Sequence, residues 1–414
     1  MFLRFAWLLG LAVLVSIALL VACGTSYNSA SDGLVLVGSQ GSALIQTFSF
    51  SLNNGHIAGI YNTTSQTGSE VCILPGLPSS MVLDPTGQYA YVILTSTDGC
   101  TNSQTGIAGF KVNSDGTAQA VGAVTPDPNP VALFMDSSGK FLFVAEGVDA
   151  KINVYTVNAG TVTLASKSPA LPPTALTPNF MALAATPTVF PGVVNGVQQA
   201  VCSLSPAPTA QYLYVVDQAN YLVWEFAVNT QTGALGNPPG ATTIPSYTAS
   251  PVPAGVAVDP CDRFVYVSGS QNNNVNAYII CAAVSQSQGC PTADGSLVTV
   301  SGSPFSLSGS ANGPGPIAVD PFGNYVYVVD TLSNQVSTLH ISSVSGSLTA
   351  ANPAVVATGI QPTSIAIRAD DNWLFVANFG AATLSQYSIT PSTGALLPLP
   401  VTQTDNYPWG VAVK

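Results

Sequence analysis

Apolar residues along this chain fall in short blocks, not in helical stripes. Five of the blocks open on a proline and close on a charged residue at the same spacing each time: Pro78 to Asp84, Pro130 to Asp136, Pro253 to Asp259, Pro314 to Asp320 and Pro362 to Arg368. A sixth, Pro178 to Ala184, lacks the charge, and a seventh, Pro408 to Lys414, ends the chain. Each block reads as a short apolar strand. Asp84-Pro85-Thr86-Gly87 and Asp320-Pro321-Phe322-Gly323 carry Asp, Pro and Gly where a type I turn favours them, so the chain should fold straight back. Second strands duly begin at Tyr89, Phe141, Tyr212, Phe264, Tyr325 and Trp373, rich in aromatic and β-branched residues suited to packing on both faces. Third strands, such as 152–157 and 336–341, alternate more. Turns bearing Gly116, Gly160, Gly346 and Gly394 then lead into a fourth.

Four antiparallel strands repeated at about 50 residues predict a radial array of small sheets. The last unit has only a first strand, while the N-terminal region opens on an orphan second strand, 33–38, and a third, 43–50. Joined, they complete one blade and leave no open sheet edge. The predicted fold is all-β: a seven-bladed β-propeller of four-stranded antiparallel blades, closed by N- and C-terminal strands sharing one blade and occupying 33–414 as a single domain. Only 7% of residues are charged, and the net charge of −11 argues against nucleic acid, since phosphate neutralisation needs Lys and Arg.

At the N-terminus, Arg4 precedes an apolar run over 5–20, and Leu20-Val21-Ala22-Cys23 then matches a bacterial lipoprotein box. The expectation is a signal peptide over 1–22, a lipidated Cys23 and a polar tether over 23–32. It places the protein in the bacterial cell envelope, anchored to the membrane and facing the periplasm or the exterior. Gly24 follows Cys23 with no retention aspartate, which by resemblance favours the outer membrane or outer surface. The other six cysteines fall on the predicted blades in three sensible pairs. Cys72 and Cys100 lie in connections at the top of neighbouring units, Cys202 and Cys261 in bottom turns of adjacent blades, and Cys281 and Cys290 flank one third-to-fourth hairpin.

The repeat resembles the YVTN-type propellers and the seven-bladed lactonase family that includes 6-phosphogluconolactonase. The segments carrying the likeness are D-S-S-G-K-F-L-F-V-A-E-G-V-D at 136–149 and W-L-F-V-A-N-F-G at 373–380. The resemblance implies lactone hydrolysis by a histidine just after the blade proline, with arginines and a glutamate nearby. The matching positions are Ser79, Val131, Ala254, Gly315, Thr363 and Trp409, none of them histidine. His56 and His340 are expected at third-to-fourth turns and Arg263 and Arg368 at first-to-second turns, all at the bottom, away from that chemistry.

The top carries acid instead. Glu146, Asp217, Asp330 and Asn378 share one register at the ends of second strands, and hard oxygen ligands there could gather calcium or another divalent metal. Strand-ending Asp and Asn also make Asx turns without any ligand. Trp409, at the start of the closing strand, is a candidate for stacking on a ligand, and Asn378 is a second ligand-binding candidate. Two functions follow as expectations. One is a monomeric, surface-tethered binding or scaffold module for a protein or carbohydrate partner. The other is a lactone or sugar-ester hydrolase using a metal held by Glu146, Asp217 and Asp330.

Overall fold

The turn acid builds the first hairpin of each blade. In a computed structural model of the chain, Oδ1 of Asp84 accepts the Tyr89 N–H at 2.7 Å. Asp136 Oδ1 accepts those of Lys140 and Phe141 at 2.9 and 2.7 Å. Asp259 does the same for Arg263 and Phe264, and Asp320 for Asn324 and Tyr325. One carboxylate oxygen thus satisfies backbone donors that a tight turn leaves unpaired, and it starts the next strand in register.

The structure describes residues 32–62, 74–95, 103–169, 178–185, 193–194, 197–198, 211–281, 289–290 and 292–414. First strands are Leu77–Leu83, Pro130–Met135, Pro178–Ala185, Pro253–Val258, Pro314–Val319 and Pro362–Ile367, opening blades one to six, and Pro408–Val413 in the seventh. Each pairs antiparallel with a second strand: Tyr89–Thr95, Phe141–Glu146, Gln211–Asp217, Phe264–Gly269, Tyr325–Asp330, Trp373–Asn378 and Asp32–Ser39. A third and a fourth strand follow outward in every blade. In the third, fourth and sixth blades the outermost strand is split into two short pieces, as at Ala395–Pro398 and Thr402–Gln403. Prolines 238, 239, 304, 398 and 400 fall in these stretches, and a residue without an N–H is tolerated only at a sheet edge.

The predicted closure is present. Pro408–Val413 pairs antiparallel with Asp32–Ser39, with Leu36 opposite Ala412, and the first strands touch one another in an unbroken ring. Seven apolar clusters fill the seven seams between blades. Seams are further tied by the central tyrosine of a second strand reaching into the next blade's third-to-fourth turn. Tyr214 donates to the Gly295 carbonyl at 2.6 Å, Tyr266 to that of Gly346 and Tyr327 to that of Gly394, both at 3.1 Å.

Cys281 and Cys290 form the expected hairpin disulfide, with a Cα–Cα distance of 5.2 Å. Cys261 is also disulfide-bonded. The expected pairings of Cys72 with Cys100 and of Cys202 with Cys261, and the lipidation of Cys23, involve residues outside the described ones. One placement differs from expectation: His340 is not in a turn but is the penultimate residue of the third strand Gln335–Ile341, edge-on to Tyr325. Strand pairing with Tyr325 carries the ladder to that position.

Candidate functional site

Every first strand carries a bulge just after its proline. Pro253 pairs with Gly269 and Gly255 with Ser268, leaving Ala254 unopposed. The same shift occurs at Ser79 and Ser80, Val131, Asn179, Gly315 and Pro316, Thr363, and Trp409. A bulge re-aims its residue out of the sheet. Because all seven lie at the top of the innermost strands, they ring the channel, and those with described side chains line a cavity of about 490 Å³. Hydroxyls tie the ring together: Ser268 Oγ donates to the Gly315 carbonyl at 2.6 Å, Thr331 Oγ1 to that of Pro362 at 3.0 Å, and Thr363 Oγ1 to that of Trp409 at 3.1 Å.

The cavity wall combines apolar groups such as Met81, Val131 and Ile365 with the hydroxyls of Ser79, Ser80, Thr331, Thr363 and Ser364 and the amide of Gln218. Among the described residues no ionisable side chain lines it. Trp409, 40% exposed, stands at its edge. Phe379 meets the Trp409 ring edge-on with centroids 5.3 Å apart, and Tyr407, itself exposed, lies 5.0 Å from Phe379 on another side.

The strand-end acids do not join this cavity, because each turns into its own blade. Asp217 accepts from Asn220 Nδ2 at 2.8 Å and Trp224 Nε1 at 3.2 Å. Asp330 Oδ2 accepts from Gln335 Nε2 at 3.0 Å and Ser337 Oγ at 2.6 Å. Asn378 Nδ2 donates to Thr383 and Ser385, and its oxygen accepts the Gly359 N–H. Glu146 is bonded to Asn153 Nδ2 at 2.8 Å, and the same amide reaches Asp127 at 3.1 Å. Burial first, then the hydrogen bond and charge of Asp127, push the Glu146 carboxyl up to about 8. Burial also raises Asp330 to about 6, against the pull of Ser337 and Gln335. The structure therefore does not bring Glu146, Asp217 and Asp330 together. Among the described residues no group of three His, Cys, Asp or Glu could hold a metal.

Both described arginines lie at the bottom as expected. Arg263 pairs with Asp259 at 2.7 Å, and Arg368 with Asp370. Trp409, the candidate for stacking on a ligand, stands at the mouth, and Phe379, Tyr407, Thr331 and Gln218 beside it were not among the residues expected from the sequence. The repeat register held that signal, since Gln218 and Thr331 each follow a strand-end acid and Tyr407 precedes a blade proline.

A family model described as "Lactonase, 7-bladed beta-propeller" matches residues 35–174 and 292–413. No curated protein matches the sequence. Among solved structures, a candidate 6-phosphogluconolactonase from Bacteroides uniformis superposes with a TM-score of 0.66 at 17% identity, covering 93% of this chain and 100% of that one. Its counterpart from Bacteroides fragilis gives 0.64 at 17%, covering 93% and 98%. The periplasmic gluconolactonase of Pseudomonas aeruginosa gives 0.64 at 16%, covering 92% and 99%. At such identities the likeness is one of fold.

Proposed function

The chain belongs to the lactonase family of seven-bladed β-propellers, and from that premise we propose that it is a membrane-anchored, extracytoplasmic binding module taking a neutral carbohydrate at the channel mouth. The observation that carries this reading is the cavity ringed by the bulge residues, whose wall offers hydroxyls, the Gln218 amide and the part-exposed ring of Trp409. Pockets of this kind hold a ligand by apolar and aromatic surface, with a few polar groups setting orientation. General acid–base chemistry needs a titratable group within hydrogen-bond reach of the substrate, and the described wall offers none. Exposed apolar side chains at the same end, among them Val148, Tyr221, Leu332 and Ile360, widen the surface available to a long ligand.

Titration of the mature protein with neutral oligosaccharides, followed by tryptophan fluorescence, tests this. Trp409→Ala should weaken binding at least tenfold, about 1.4 kcal/mol, and wild-type turnover of gluconolactone should stay at background. The names of the structural neighbours favour the opposite reading, lactone hydrolysis, and turnover retained in Trp409→Ala would establish it instead. The anchor rests on the box ending at Cys23. Cys23→Ala should move the protein from the membrane fraction to the soluble one, and a wild-type protein that is already soluble ends that part of the proposal.

A further inference from the structure

The bottom turn of the fifth blade leaves half of its carboxylate unpaired, and the residue added against it from the sixth blade makes the deficit larger. In the first, second and fourth blades the second oxygen of the turn acid finds a donor nearby. Asp84 Oδ2 takes Thr86 Oγ1, Asp136 Oδ2 takes Ser138 N and Oγ, and Asp259 Oδ2 takes the Arg263 guanidinium, with Nε at 2.8 Å. In the fifth blade the residue two positions on is Phe322, which has no hydroxyl, and Asn324 stands where the fourth blade has Arg263. Asp320 is fully buried, and its Oδ2 has no hydrogen-bond partner.

The turn's left-handed position is glycine in the first, second and fifth blades, at φ +64, +69 and +69. A Cβ on Gly323 would lie 3.4 Å from Asp259 Oδ2 and 3.2 Å from Arg263 Nη2. A side chain at position 323 would therefore approach the turn acid of the preceding blade, and one at Gly139 would approach Pro85, the neighbour of Asp84. In the sixth blade the position is Asp371, at φ +57. It is fully buried, and neither of its oxygens has a partner. The charges bearing on it are those of Asp320 and Asp370, all of one sign, and Arg368 nearby is committed to Asp370 and the Lys414 carbonyl. A buried acid in the left-handed region, with the charge of a second buried acid bearing on it, costs free energy unless something compensates it. In the seam between the fourth and fifth blades the compensating group is a cation, Arg263.

We propose that Asp320 and Asp371 hold a calcium ion at the bottom of the seam between the fifth and sixth blades. Three unpaired carboxylate oxygens supply hard ligands, two carboxylates balance a divalent charge, and the two free oxygens of Asp371 suit the bidentate mode that calcium accepts more readily than magnesium. The site is independent of the channel mouth at the opposite face.

The test uses the mature full-length chain, stripped with chelator and dialysed, with calcium chloride as the probe. Equilibrium dialysis should give one calcium per chain, and thermal unfolding at pH 7.5 should rise with added calcium. Asp371→Gly, which restores the residue used in three other blades, should fold while losing both the uptake and the thermal response. Asp371→Asn, should the glycine variant fold poorly, should weaken uptake at least tenfold. Absence of stoichiometric uptake by the wild type, or uptake undiminished in both variants, overturns the proposal. So does a calcium-indifferent wild type whose Asp371→Gly variant is the more stable at pH 8, since the pair then shares a proton instead.

Discussion

Gly394 illustrates how much of the propeller rests on single residues. It sits at φ +67 in the third-to-fourth turn of the sixth blade, and a Cβ there would come 2.4 Å from the ring of Tyr325 in the blade before. Its carbonyl meanwhile accepts the Tyr327 hydroxyl across the same seam. Gly394→Ala should therefore carry both a left-handed backbone penalty and an overpacking penalty, together about 2–4 kcal/mol in denaturant unfolding. Gly236→Ala is the matched control, because its Cβ would meet nothing within 4 Å, and its change should stay within about 0.5 kcal/mol. Equal effects of the two substitutions would mean that the turn-to-aromatic contact does not hold the seam.

Among the elements, the closing strand Pro408–Val413 has the most to do. It is the innermost strand of the seventh blade, contributes Val411 to the core of one seam, and brings Trp409 to the channel mouth. Deleting 408–414 bares the edge of Asp32–Ser39 and opens the ring, so it should cost at least about 3 kcal/mol, far beyond a frayed tail. The measurement is thermal unfolding of the truncated protein, with aggregation followed by light scattering. An unchanged melting temperature would refute the closure. If the proposed carbohydrate site is there, the truncation should also abolish binding, since the ring of bulges loses its aromatic member.

At the scale of the whole molecule the dominant electrostatic feature is buried acid. Glu146, Glu225 and Asp371 are raised to about 8, and Asp320 and Asp330 to about 6, with burial the largest cause in each case. Neighbouring acids add to the shift at Glu146 and Asp371, while the Tyr247 hydroxyl works against it at Glu225. A folded-state pKa above the unfolded value means that the native protein binds these protons more tightly. That contribution is complete below the ordinary carboxyl range and is lost as pH rises through about 6 and then about 8. In chelator the protein should melt at a higher temperature at pH 5 than at pH 8. A melting temperature that climbs over that interval contradicts the buried-acid account.

Blade number, hairpin order and terminal closure were legible in the sequence because they depend on local, periodic signals. An Asp that caps its own turn and a strand alternating every second residue act over fewer than ten positions, so the chain spells them out repeat by repeat. Tertiary structure alone decided where the strand-end side chains point. Glu146, Asp217 and Asp330 share a register that predicts convergence on the channel, yet like charges repel and desolvation is costly. Each found donors on the third strand of its own blade or in the turn before it: Asn153, Trp224 and Asn220, Gln335 and Ser337. The bulge after each proline was equally hidden, since it adds a residue to one strand relative to its partner without altering the repeat spacing. That unopposed residue turns Trp409 and the hydroxyls into the channel. The unpaired oxygens of Asp320 and Asp371 were invisible for the same kind of reason, because they arise where the turn of one blade meets the turn of the next.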